Sequence, residues 1–180
     1  MAIVAGDILF KLSVVAAAGN TTAGTPATSL GDQISTTQIT DATLNNLFDD
    51  VSGDENAASD VEYRCIFVHN AHATLTWQSV VAWLSAEVSG GAVAAIAIDD
   101  FAASPIGQAS AQADVIADEN TAPGAGVGAF SSPTTKATGL SLGNIAAGNC
   151  RAIWVKRSAA NTVALDNDGV TIRCEGDTAA

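Results

Sequence analysis

The decapeptide VEYRCIFVHN, residues 61–70, constrains the fold more than any other part of the chain. At the two-residue period of an extended strand, Tyr63, Cys65, Phe67 and His69 fall on one face. Arg64, Ile66, Val68 and Asn70 fall on the other. Both faces carry side chains that belong under cover, so this strand needs protein above and below it. Residues 70–73 supply a turn. Residues 74–84 then resume with Thr, Trp and Val, either as a hairpin or as two neighbouring sandwich strands.

Elsewhere, turn chemistry punctuates short apolar segments. The opening MAIVAGDILFKLSVVAAAGN begins like an export signal, but Asp7 and Lys11 interrupt its apolar run, so a first strand is expected there. No later run of about 18 apolar residues occurs, and no membrane span is expected. Residues 92–98, 114–117, 150–157 and 170–175 are further strand candidates, with SLGNIAAGN and DNDG as connections. Residues 19–31, rich in Gly, Thr, Ser and Pro, predict a loop or extended arm reaching to about residue 36. In TDATLNNLFDDVSGDE, Leu44, Leu47, Phe48 and Val51 recur at helical spacing behind Asp41 as a cap. That predicts one short α-helix over about 42–51, ended near Gly53. Residues 103–112 and 124–128 read as loops. Many short strands and one helix within 180 residues predict a single all-β domain, a β-sandwich or jelly-roll-like fold.

Several catalytic chemistries can be weighed on residue types alone. Cys65, His69 and His72 are zinc-ligand types, and zinc needs three or four of them converging on one point. Cys65 and His69, four residues apart on a strand, stand about 13 Å apart along the backbone and cannot grip one ion. Spacing supplies no third ligand for His69 and His72. No Gly-x-Ser-x-Gly elbow occurs, and APGAGVG lacks the lysine and the following helix of a phosphate loop. Asp49, Asp50, Asp54 and Glu55, and separately Asp166, Asn167 and Asp168, offer oxygens suited to calcium without the spacing of an EF-hand. Their expected role is solvation and complementarity to a partner. Three cysteines, Cys65, Cys150 and Cys174, are an odd count at wide spacings, which predicts reduced, buried thiols made in a cytoplasm. No enzyme activity, cofactor or metal is expected.

Charge narrows the partners. Asp and Glu outnumber Lys and Arg by 19 to 7, for a net charge of −12, and such a surface repels nucleic-acid phosphates and anionic lipid. Neither nucleic acid nor membrane is an expected partner. Trp77, Trp83 and Trp154 are expected to pack in the sheets rather than to stack on sugars. Arg64, Arg151, Lys156, Arg157 and Arg173 fall mostly on strands. They are expected to pair with local carboxylates, or else to touch another subunit.

Two segments, LFDDVSGDENAASDVEYRCIFVHN and RAIWVKRSAANTVALDNDGVTIRCEGDT, resemble two blocks of tailed-bacteriophage virion structural proteins. In those proteins an acidic helix leads to a Tyr-Arg-Cys strand ending in Asn. A later Trp-Val-Lys-Arg strand is followed by a turn and a closing Arg-x-Glu-Gly-Asp-Thr strand. The two blocks cover about 50 of the 180 residues, and Cys174 departs from the plain apolar residue expected at its place. The resemblance implies a non-enzymatic capsid decoration or cement protein on the capsid exterior, assembled in a host cytoplasm. Its partner would be the major capsid protein lattice, bound as a homo-oligomer, trimer or dimer. Such a protein works by a rigid scaffold whose loops make many equivalent weak contacts. Thr21, Thr22, Thr25 and Pro26 in the arm, with Arg151, Lys156 and Arg157, are the contact candidates. The alternatives are a tail or head-fibre module binding host glycan and, behind it, a metal-assisted hydrolase.

Overall fold

The doubly covered stretch forms β3 (Val61–Asn70), a central strand of the larger of two antiparallel sheets. The structure, a computed structural model, describes residues 2–163, 165 and 167–178. In the larger sheet β3 is flanked by β1 (Ile8–Val14) and β8 (Asn149–Ser158), with β2 (Gln33–Gln38) outside β1 and β5 (Val93–Ile98) outside β8. The two-residue β6 (Ser104–Pro105) also pairs with β8. The smaller sheet has the order β7 (Leu140–Ile145), β4 (Trp77–Glu87), β9 (Val170–Thr178). β3 and β4 therefore lie in different sheets, not in a hairpin, and the chain crosses between sheets within residues 71–76.

The predicted division of β3 into two faces holds. Ile66 and Val68 join Leu12, Ile96, Ile153 and Val155 against Val80, Leu84, Leu142 and Ile145 of the smaller sheet. That is the sandwich core. Cys65 and Phe67 turn the other way, into a second cluster with Ile34, Ala97, Ala152 and Trp154, covered by Ala113, Ile116 and Phe130 from the long connection between β5 and β7. Burying each of the large side chains stabilises the fold by about 1.5–3 kcal/mol relative to leaving it in water. Trp77, Trp83 and Trp154 are all buried, as expected of packing residues.

Several expectations need correction. Residues 42–51 are not helical: Ala42 and Asn45 have φ of 55° and 56°, which no right-handed helix tolerates, and Leu44 is exposed. The one α-helix among the described residues, α1 (Gly53–Ala58), begins where the predicted one was to end. Its cap is Ser52, whose hydroxyl accepts from the Glu55 amide while the Glu55 carboxylate accepts from the Ser52 amide. This Ser-x-x-Glu box outweighs Asp41, and Ser59 in the left-handed region closes the helix after six residues. SLGNIAAGN is not merely a connection, since β7 occupies most of it. Gly143, at φ 71° in a bulged part of the β4–β7 ladder, breaks the two-residue period, so Leu142 and Ile145 both reach the core. Residues 114–117 form a strap with a single bridge, Val115 to Gly31, instead of a strand. DNDG does not close a hairpin, because β8 and β9 belong to different sheets; Asp166 lies outside the described residues.

The segment 19–36 is not an extended arm. Its last part is β2, and its first part folds back along the outer edge of β2 through Asn20 N–H to Ile34 O (2.6 Å) and Thr36 N–H to Thr22 O (2.9 Å). Ser29 pins the middle. Its hydroxyl donates to the Cys65 carbonyl at 2.7 Å and accepts from the Ser13 amide at 2.9 Å, all out of water. A Gly- and Thr-rich segment whose large apolar side chains are Leu30 and Ile34, both set against the second cluster, is thus held chiefly by main-chain and hydroxyl hydrogen bonds.

Candidate functional site

At the end of the sandwich where β3 begins and β8 finishes, five charged groups gather around one ring. Phe48 lies under the guanidinium groups of Arg64 and Arg157, 5.5 and 4.8 Å from its centroid. Arg64, buried on β3, pairs with Glu119 and donates to its neighbour's carbonyl at Tyr63. Arg157 Nε donates to Glu62 Oε2 at 2.6 Å, and Nη2 reaches Asp49 Oδ1 at 3.2 Å. Glu62 is buried in this pairing. Burial pushes its carboxyl above the usual carboxylate range, and the Arg157 guanidinium opposes that rise.

Above this layer stands a short ridge. Thr25, Pro26 and Thr28 close one 3-10 turn, with the Thr25 amide donating to Thr28 Oγ1 at 2.8 Å and the Thr28 amide donating back to Thr25 Oγ1 at 3.3 Å. Pro26 sits at the first helical position, where its missing N–H costs nothing. On one side of the ridge is a polar depression of about 310 Å3, lined by Thr25, Pro26, Asn45, Asp49, Arg64 and Glu119. On the other is an apolar one of about 320 Å3, lined by Val14, Val15, Leu30, Ile116 and Ala117. Val15 and Val115 stand exposed.

The predicted contact residues separate. Thr25 and Pro26 form the ridge, and Arg157 joins them through Asp49. Thr21 and Thr22 are exposed on the segment that lines β2, with the Thr21 hydroxyl bound to the Ala18 carbonyl at 2.6 Å. Arg151 is turned inward and donates to the Asp99 carbonyl at 3.0 Å. Lys156 lies over the Phe130 ring, 5.8 Å from its centroid. Arg64, Arg157 and Arg173 do pair with carboxylates, as expected. Asn45, Glu62 and Glu119 were not singled out from sequence. Nothing local marks Glu119 as a partner for a residue 55 positions earlier.

The residues weighed for catalysis do not converge. His72 Nδ1 accepts from the amides of Thr74 and Leu75 at 3.1 and 3.0 Å, a turn-closing role. His69 is buried beneath the other face of the larger sheet, and neither ring nitrogen has a hydrogen-bond partner among the described residues. Cys65 is fully buried, and burial pushes its thiol up. Cys150, facing the second cluster, and Cys174, facing the sandwich core, are free thiols pushed up to about 12 by burial. Among the described residues no three His, Cys, Asp or Glu side chains come together as a metal-ligand group, and no helix is long and apolar enough to cross a membrane.

Fold and site together define a two-sheet antiparallel β-sandwich with an anchored loop ridge at one end. In comparisons with known proteins, no family model, no curated protein and no solved structure matches this chain.

Proposed function

We propose that this chain is a virion structural protein that decorates a phage capsid, stabilising the head lattice by docking the Pro26 ridge on the major capsid protein. The observation that carries this reading is how the polar groups are used. Ser29, Arg64, Asp99 and Gln112 hold loops to the sheet instead of opening onto a shared cleft. A binding scaffold gains from such loops because a preformed contact surface loses little conformational entropy on docking. The acidic surface and the mixture of charged and apolar depressions beside the ridge suit a protein partner. The two segments that resemble virion proteins also come together: their strands, β3 and β8, pair over nine positions from Val61–Ser158 to His69–Cys150.

The test is cosedimentation of the purified chain with assembled heads of the phage that encodes it. A copy number set by capsid symmetry is expected, together with loss of binding in Pro26→Glu. Heads that take up none of the chain would sink the reading. The glycan-binding alternative needs an exposed aromatic platform, and all three indole rings are buried.

A further inference from the structure

We propose that two copies of this chain pair antiparallel through the outer edge of β9, in register about Cys174, so that Arg173 of each copy faces Glu175 of the other. The inference stands independently of any virion role.

An uncovered edge strand offers a row of unpaired N–H and C=O groups to another chain. In the larger sheet both edges are covered. Residues 20–22 bond to β2, and β5 exchanges hydrogen bonds with Ser131 at 2.8 and 3.0 Å and receives one from Gly128 at 3.0 Å. In the smaller sheet β7 is broken by its own bulge near Gly143. β9 differs from all of these. It runs unbroken from Val170 to Thr178, and the extra residues at its register shifts belong to β4. Among the described residues its only strand partner is β4. Val170, Ile172 and Cys174 pack against the core, yet no residue of β9 is fully buried.

The side chains of β9 say what would cover it. Thr171, Arg173, Glu175 and Asp177 share the outward face, opposite the core-facing Ile172 and Cys174. In an antiparallel pair centred on Cys174, Arg173 stands opposite Glu175 of the second copy, and Thr171 opposite its Asp177, at the short range where cross-strand pairs interact. Moving the axis one residue either way sets Glu175 against Glu175 or Arg173 against Arg173. The charge pattern therefore selects one register and one partner, a second copy. The two three-stranded sheets become one continuous sheet. Antiparallel pairing also lays the start of one β9, beside exposed Val88, near the end of the other, beside exposed Val4.

The experiment is sedimentation equilibrium of the full chain at physiological salt. A dimer is expected. Arg173→Glu and Glu175→Arg, each folded by circular dichroism, should each weaken it at least about tenfold. An equimolar mixture of the two variants should dimerise again, because an edge acidic at both positions then meets an edge basic at both. A general folding defect would not be repaired by mixing. Independently, amide exchange in residues 170–178 of the unaltered chain should slow as protein concentration rises. A monomer or trimer, a dimer indifferent to both substitutions, a mixture that stays monomeric, or exchange independent of concentration would each overturn the proposal.

Discussion

Trp154 Nε1 donates a 2.8 Å hydrogen bond to Asp99 Oδ2, and both residues are wholly buried. The same carboxylate accepts from the amides of Asp114 at 2.9 Å and Phe101 at 3.1 Å. One side chain at the end of β5 thus ties β8 to the strap that covers the second core cluster. Asp99→Ala would strand three donors at once, the buried Trp154 indole and two part-buried amides, and should lower stability by about 3 kcal/mol. Asp99→Asn keeps one acceptor oxygen and should lose roughly half as much. Urea unfolding followed by tryptophan fluorescence measures both, and an Asp99→Ala midpoint equal to the parent's would refute the role.

Arg157 is the counter-ion that lets Glu62 be buried. Arg157→Ala should destabilise by about 3 kcal/mol, since a buried carboxylate is left without its partner. Replacing both residues by leucine should recover most of that loss. The pH dependence has a definite sign. The folded-state carboxyl of Glu62 lies above its ordinary range, so stability linked to its proton is present at low pH and lost as pH rises through that raised value. The deficit of Arg157→Ala should therefore be larger at pH 8 than at pH 5. Equal deficits would show that Glu62 is not the responsible group.

The ridge depends on Ser29. Ser29→Ala removes the acceptor for the Ser13 amide and the donor to the Cys65 carbonyl, both buried, and should cost about 1–3 kcal/mol. Loosening should be local. Hydrogen exchange is expected to speed up at Asn20 and Thr36, whose amides close the segment onto β2, while the β3 amides facing β8 stay protected.

His69 makes the fold sensitive to acid. Burial, and secondarily the Lys11 ammonium, hold its imidazole below the ordinary value. The folded state prefers neutral His69, so stability is full above the unfolded-state value and falls as pH drops through it towards the lowered folded value. Thermal melts between pH 7.5 and 5 should show this decline, and His69→Gln should flatten it. A variant with the parent's pH profile would assign the decline to other groups.

Much of the strand content was legible locally. The two faces of β3, the strands at 92–98, 150–157 and 170–175 and the burial of the tryptophans follow from a two-residue period and from residue type, which act within a few residues. The helix shows how a local signal can also mislead. Apolar spacing at Leu44, Leu47 and Phe48 mimicked a helix, whereas the capping box at Ser52 and Glu55 carried the correct start. β7 was hidden because its bulge shifts the period midway.

The candidate site lay beyond that reach. By themselves the amino acids determined an acidic all-β chain whose arginines seek carboxylates and whose cysteines and histidines lack metal-ligand spacing. Only the tertiary structure decided that Arg64 meets Glu119, that Arg157 meets Glu62 across 95 positions, that residues 19–31 seal an edge instead of reaching outward, and that among the described residues β9 has a strand neighbour on one side alone. The physical reason is that periodicity and capping are short-range, whereas strand order and ion pairing are settled by which distant segments can bury their surfaces together.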